Sequence, residues 1–555
     1  MNEHFKKTRE LRIEASGPQL AHAWIALAIV LLFVMAVRVR LLDVPLERDE
    51  GEYAYMGQLI LQGVPPYTLV YTMKFPGTAL MYALFMALFG QTLQGVHLGL
   101  LIVNCASIML VFFIGKRLFG DIAAVVAAIS YAVLSLNHSV LGFAAHATHF
   151  VILMALGGAL ALLAALNKDR PVLYFPAGVL FGLSLVMKQP GFFFVLFGAL
   201  YLAWYQRARR PPVTVSQQVR NLVFYAGGAL LPLCLVVVWC ALSGSIDRFF
   251  FWTVTYMREY GTMVSWNDAL SRFTGGVSRL VDGFTLLWYL VAGGLLAACR
   301  DAEKKGQRAF LLFFSACAFL AFCPGLYFRH HYFITFLPAA ALAAGYGVDR
   351  AWRAGSTLTR ISHLRFAGII LFSLAVLLGL YSERIYFFED SPAALSRRFF
   401  SYNPFIESVE IAKFIRSNSN EGDTIAVFGS EPQIYFYANR RSATGHIYMY
   451  GMMEDHPYNL TMQKEMIREV ESARPRFIVF TPISGSWLTT PRSDKSIIAW
   501  LTGYLREHYT LVAVADILSD SETVYKWHEE AKAYTFQTPR RIYVLERTAD
   551  ADDGR

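Results

Sequence analysis

The chain has 555 residues, of which 55% are hydrophobic and only 16% charged, and its mean hydropathy is +0.40. A soluble protein carries about 25% charged residues, so a wholly soluble fold is excluded. The net charge of +9 does not point to nucleic acid either, because most Lys and Arg lie in short segments between apolar blocks, as on the cytoplasmic side of a membrane protein.

The first apolar block, 24–42, is long for a signal peptide and lacks a small-residue cleavage site, so it reads as a signal anchor. The stretch Glu47–Pro76, ERDEGEYAYMGQLILQGVPPYTLVYTMKFP, follows as a loop and carries Asp49, Glu50, Glu52, Tyr53 and Lys74. The block 77–90 is short for a span and reads as a helix lying in or dipping into the interface. Further blocks fall at 96–115, 121–137, 139–166, 171–187, 190–206, 222–243, 285–299, 309–327, 332–348 and 366–381. The six cysteines all lie in or beside such blocks, without metal-ligand spacing, so neither a disulfide framework nor a zinc site is expected.

Basic clusters order these blocks. Lys6, Lys7, Arg9 and Arg12 precede the first span, and further clusters follow 96–115, 139–166, 190–206, 285–299 and 332–348. With every cluster cytoplasmic, about eleven spans are expected, and 45–95 and 382–555 lie outside. Charge parity then brings Asp49, Glu50, Lys74, Lys188, Gln189, Arg329, His330 and His331 to one outer face. Arg38 and Arg40 at the end of the first span either snorkel or pair with Asp43, Glu47 or Asp49.

After Ser382 polar residues return. The runs 424–429, 476–482, 509–517 and 541–547 read as strands, and 404–418, 460–473 and 494–507 as helices. Asn403-Pro404 has the form of a helix start, with Asn403 as cap. This alternation implies a small α/β domain, a mostly parallel sheet being one arrangement of it. No GxGxxG follows a strand, so nucleotide binding has no support.

The acidic loop suits one chemistry. A carboxylate takes a proton from an acceptor hydroxyl while a cation stabilises a departing lipid phosphate. Asp49 and Glu50 are the candidate bases, their ordinary alternative being a solvated cap on the first span. A partly dry site would raise the base's pKa. Lys74, Lys188, Arg329 and His331 are candidate phosphate ligands, with interface snorkelling as the alternative. Glu52, Tyr53, Tyr332, His146 and His149 are candidates for sugar or acceptor contact. His146 and His149, at i and i+3 on one helix, lack a third metal ligand, so no metal site is assigned. Tyr256, Arg258, Glu259, Tyr260 and Trp266–Asp268 could line an acceptor entrance.

RDEGEYAYMGQLILQGVPPY, KFPGTAL, KQPG and RHHYFITFLPAAALAAG together resemble the GT-C superfamily of integral-membrane glycosyltransferases. They are most similar to its family 39-like set, which includes protein O-mannosyltransferases and lipid A aminoarabinose transferases. The resemblance spans roughly residues 20–350. It implies a polytopic all-α GT-C membrane module followed by a small α/β extracytoplasmic domain. The expected divisions are a tail at 1–20, the module at 21–383 with its first outer loop at 45–95, the α/β domain at 384–548 and a tail at 549–555. It also implies a polyprenyl-phosphate sugar donor, Asp49 as base with Glu50 beside it, Lys74 of Lys-Phe-Pro on the donor phosphate, and a basic-aromatic element at Arg329–Tyr332. An acid is common in the family near position 148, where this chain has Thr148; His149 or Glu52 could substitute. The expected protein is an inverting transferase acting on an extracytoplasmic hydroxyl of a glycan, lipid or protein. No cofactor is required, and metal dependence is left open. It would sit in a bacterial plasma membrane with its N-terminus cytoplasmic. Two rival readings are a transporter or flippase of lipid-linked glycans, and a polymerase or ligase using diphosphate-linked donors.

Overall fold

In the computed structural model, residues 17–548 are described, apart from 167, 169, 210, 302–304 and 359–361. The basic cluster Lys6–Arg12 and the tail 549–555 lie outside the described residues. The described residues are mostly helical. Its first nine helices are α1 Gly17–Arg40, α2 Arg48–Leu61, α3 Gly77–Phe89, α4 Leu93–Leu118, α5 Asp121–Leu136, α6 Ala147–Leu166, α7 Tyr174–Met187, α8 Phe192–Ala208 and α9 Val215–Leu242.

Each expected apolar block contains a helix, but lengths vary. Among the described residues six helices are long and apolar enough to cross a bilayer, or seven if Trp266–Val281 and Thr285–Arg300, bent by 108°, count as one. The others, such as α5 and α7 at 16 and 14 residues, are shorter than the roughly 20 residues a span needs. Length and composition alone therefore do not reach eleven. The block 139–166 is also broken. A 3-10 turn at His138–Val140 and a left-handed Leu141 (φ 53°) separate α5 from α6. Consequently His146 precedes the helix and only His149 lies in its first turn.

Small residues let the bundle close. A Cβ at Gly178 or Gly182 of α7 would stand 2.1 or 2.2 Å from a carbonyl oxygen of α9, so one turn's spacing of glycines forms a seam for backbone approach. Arg38 and Arg40 neither snorkel freely nor meet the acids expected. Arg38 donates to Asn104 Oδ1 at 3.3 Å and to the Gly142 carbonyl at 2.5 Å. Arg40 donates to the carbonyls of Tyr386 and Asp390. Both guanidiniums thus stitch α1 to chain breaks elsewhere.

The C-terminal strands are β1 Thr424–Phe428, β2 Arg441–Ser442, β3 Phe477–Phe480, β4 Tyr509–Ile517, β5 Thr523–Trp527 and β6 Arg541–Arg547, in sheet order β2-β1-β3-β6-β4-β5. The sheet is mixed rather than mostly parallel. β1 pairs in parallel with β2 and β3, whereas β3–β6, β4–β6 and β4–β5 are antiparallel. The antiparallel half arises because β5 returns from β4 through a short turn and β6 then inserts between β3 and β4. Asn403 is not a helix cap. The helix begins at Phe405 after Pro404, and the Asn403 amide oxygen instead accepts from Arg48 at 2.8 Å.

The segment expected as an acidic loop is a helix, α2. Glu47 caps it, accepting from Glu50 N–H at 3.0 Å, while the Glu50 carboxylate accepts from Glu47 N–H at 3.3 Å. This is a capping box with Glu in place of Ser or Thr. The sheet domain sits directly on α2. Arg48 pairs with Glu431 at 2.6 Å, Tyr55 stacks on Tyr435 at 5.1 Å, and Ser442 N–H donates to the Tyr55 hydroxyl at 2.7 Å. At Gly51 an added Cβ would lie 2.6 Å from the Gln433 backbone nitrogen. Gly51→Ala should therefore push the domain off α2 and cost about 1–3 kcal/mol. A lowered unfolding temperature and faster proteolysis between 384 and 404 are the expected readouts.

Candidate functional site

A cavity of about 740 Å³ opens between the membrane bundle and the sheet domain. Asp49 and Glu52 reach it from the first turns of α2, and Lys74 from the segment before α3. His146 comes from the turn before α6, and Arg329 and His331 from the 3-10 segment preceding the helix Leu337–Leu358.

Its centre is an ion cluster. Lys74 Nζ donates to Asp49 Oδ1 at 2.7 Å and to Glu52 Oε2 at 2.6 Å, and lies 4.5 Å from the Tyr53 ring centroid. Tyr448 of the sheet domain donates to the same Asp49 oxygen at 3.3 Å. The other oxygen, Oδ2, faces His331 Nε2 at 4.0 Å. Burial alone would push the Asp49 carboxyl up, but the Lys74 ammonium holds it well below the usual carboxylate range. A dry site was expected to raise it; the adjacent cation reverses the sign. Lys74 is held well above its ordinary value, because its two carboxylates outweigh its burial. Glu47, which also lines the cavity, is pushed up by burial and by Asp49 and Glu50.

Glu50 points elsewhere. It is 1% exposed, accepts from Ala145 N–H at 2.6 Å, and meets His97 Nε2 at 3.1 Å. Tyr53, His149, Lys188 and Tyr332 also stand behind the cavity wall rather than in it. Lys188 Nζ lies 4.3 Å from the Tyr332 ring centroid and has no carboxylate partner among the described residues. Gln189 donates to the Met73 carbonyl at 2.6 Å, tying the α7–α8 turn to the Lys74 segment.

Asp49, His146 and His331 bring three metal-ligand atoms within 4.8 Å of one another. The two imidazoles stack at 4.0 Å, and neither His146 ring nitrogen has a hydrogen-bond partner among the described residues. Burial lowers His146 to about 4, so this ring is neutral at pH 7. One carboxylate with two imidazoles is a donor set suited to zinc or a similar divalent ion. The sequence paired His146 with His149, but the structure pairs it with His331, nearly two hundred residues away by numbering.

Several lining residues had no place in the sequence reading. Arg272 and Arg279 come from the amphipathic helix Trp266–Val281, Tyr448, Tyr450 and Glu454 from the sheet domain. Arg272 and Arg329 both approach the Tyr327 ring, at 5.3 and 5.4 Å. Neither has a carboxylate partner among the described residues. Arg329 remains charged despite burial, as a guanidinium does in proteins. The i, i+7 spacing of Arg272 and Arg279 was a readable signal of one helix face; the sheet-domain residues offered none. Tyr256 and Tyr260, expected at an acceptor entrance, do line the cavity.

Lys74→Ala should strand two carboxylates in this cluster and destabilise the protein by about 3–5 kcal/mol. The double variant Lys74→Ala with Glu52→Gln should recover part of that loss. Thermal unfolding in detergent measures both.

Residues 73–240 match the family model for dolichyl-phosphate-mannose-protein mannosyltransferases. No curated protein sequence matches the chain. Among solved structures, ArnT from Cupriavidus metallidurans bound to undecaprenyl phosphate aligns with a TM-score of 0.59 at 16% identity, covering 95% of this chain and 98% of that one. The archaeal oligosaccharyltransferase AglB from Archaeoglobus fulgidus, in complex with an inhibitory peptide and a dolichol-phosphate, aligns with a TM-score of 0.53 at 14% identity, covering 91% and 74%. The chain thus has the GT-C fold of the integral-membrane glycosyltransferases, the superfamily that its acidic segment and KFPG motif resemble.

Proposed function

We propose that this protein is an inverting glycosyltransferase that moves a sugar from a polyprenyl-phosphate donor to a hydroxyl of an extracytoplasmic glycan, lipid or protein. The observation that carries this reading is the ionised Asp49 held against Lys74 in a cavity where two further cations, Arg329 and Arg272, lack carboxylate partners among the described residues. The dolichol-phosphate and undecaprenyl phosphate bound by the two structural relatives support a donor of this class.

In this reading the donor phosphate binds at Arg329 and Arg272 and reaches Lys74. There it competes with Asp49 and Glu52 for the three ammonium protons. As Lys74 turns toward the phosphate, Asp49 loses its strongest partner and becomes a better base. Asp49 then takes the proton of the acceptor hydroxyl, and that oxygen attacks the anomeric carbon. The carbon–oxygen bond to phosphate breaks with the electron pair leaving on the phosphate, and the configuration inverts. The leaving group needs no proton, so one carboxylate suffices. Glu52 steadies Lys74, and Glu50 positions α2 through His97 and Ala145 rather than reacting. His146 and His331 face the sugar; Tyr53, Tyr332 and His149 support that wall. No cofactor beyond the donor is required, and Asp49, His146 and His331 mark where a divalent ion would bind.

The membrane is a bacterial plasma membrane, the N-terminus cytoplasmic, and the domain beginning at residue 384 extracytoplasmic. The shorter helices α5, α7 and α8, with Thr285–Arg300 and Ala367–Ser382, complete eleven crossings as partly buried spans.

Asp49→Asn should lower transfer about 10²–10⁴-fold while leaving donor binding intact, measured with radiolabelled polyprenyl-phosphate sugars in reconstituted vesicles. An unimpaired Asp49→Asn enzyme removes Asp49 from the chemistry. Parallel assays with diphosphate-linked donors separate transfer from polymerase or ligase chemistry.

Lys188 supplies a pH test. Burial lowers its ammonium to about 7, against the pull of Asp49. It is charged below that pH and neutral above it, while a phosphodiester donor keeps its single charge. Donor affinity should therefore weaken as pH rises through about 7, and Lys188→Arg should flatten the profile. Equilibrium binding from about 1.5 pH units below that value to about 1.5 units above it measures this.

A further inference from the structure

We propose a second binding site, on the face of the bundle opposite the large cavity, which takes the phosphate headgroup of an anionic phospholipid. A pocket of about 250 Å³ lies there, lined by Arg170, Arg209 and Arg220 around Tyr205, Gln206 and Asn221. Helix α6 fixes the separation. Its first turn adjoins His146 at the cavity, and Leu166, 20 residues later, lines the pocket. At 1.5 Å per residue that is about 30 Å, one hydrocarbon thickness.

No carboxylate is among the described residues lining this pocket, and Arg170 and Arg220 form no ion pair with a described residue. The floor is polar and buried, with Gln206 3% and Asn221 9% exposed. Asn221 Nδ2 donates to Gln206 Oε1 at 2.9 Å, and Gln206 Nε2 donates to the Leu202 carbonyl at 3.2 Å. Each amide nitrogen carries two hydrogens and uses one, so the other can donate to an anion. Guanidiniums converging over free amide N–H groups match the oxygens of a phosphate ester.

The adjacent surface points to a lipid as the carrier of that phosphate. Val215, Val219 and Val223 of α9 flank Arg220 and are 75%, 54% and 63% exposed. They form an apolar strip running from the pocket along the bundle, where an acyl chain would lie while its headgroup sat among the arginines. Free phosphate would leave that strip unused.

The full-length protein in nanodiscs tests this. Retention of phosphatidylglycerol and of phosphatidylcholine is compared by native mass spectrometry, with inorganic phosphate as a separate arm. Phosphatidylglycerol should be retained preferentially, and inorganic phosphate should not displace it. Arg170→Gln with Arg220→Gln should weaken retention about fivefold per arginine, roughly 25-fold in all. The matched variant Arg170→Lys with Arg220→Lys should keep most of it, with unchanged size-exclusion elution for both. Equal retention of the two lipids, or no loss in the Gln variant, overturns the site. Binding of inorganic phosphate that displaces the lipid overturns the lipid assignment.

Discussion

The structure turns on one ammonium group. Lys74 stands between Asp49 and Glu52, each within 2.7 Å, in a largely dewatered setting. One ammonium bridging two carboxylates offsets the repulsion between them. Because Lys74 comes from a loop and the acids from a helix 22 and 25 residues earlier, the contact also fixes the path of the chain between α2 and α3. The same charge that holds the fold holds Asp49 below its ordinary pKa. Stability and poor resting basicity are therefore two faces of one contact, and a substrate anion able to draw off the ammonium would change both together.

That contact holds because α2 is clamped along its length. Its first turn is anchored on one side by Glu50 to His97 and Ala145, and on the other by Arg48 to Glu431. Glu431 is fully buried, and Ser486 and Gln433 also donate to it. Alternate residues of one acidic-basic run thus face the membrane bundle, the cavity and the sheet domain. A helix whose neighbours differ on each side cannot read as amphipathic, and this is why it passed for a loop in the sequence.

Much else was legible for identifiable reasons. Apolar runs of β1, β3, β4 and β6 flanked by polar turns marked strands, and positive charge between apolar blocks ordered the helices. Together these brought Asp49, Lys74, Arg329 and His331 to one face without any local motif. The two-residue β2 was too short to stand out, and β5, half-buried along its length with Lys526 in it, lacked the apolar run that marked the others. The mixed sheet escaped because strand direction depends on where β6 inserts, a long-range choice with no local trace. Pro404 suggested a cap at Asn403, but the amide found a stronger partner in Arg48, an outcome only tertiary contact decides. Break points such as Leu141 were hidden inside apolar sequence.

The contribution of the sheet domain follows from the same geometry. Tyr448 touches the Asp49 carboxylate directly, and Glu454, bonded by Tyr256 at 2.9 Å, faces the cavity from above. A domain that only covered the site would need no polar group on its inner surface, since each such group carries a desolvation cost unless it is paired. Tyr448 and Glu454 are both paired, and both to residues of the membrane module. Tyr55, Tyr437 and Arg48 add further contacts to the seam, to backbone groups and a buried carboxylate. Contacts of that kind lock orientation more than they add stability. They keep the phenol of Tyr448 on the one carboxylate oxygen that Lys74 also holds, so the position of the sheet domain is read out at Asp49 itself.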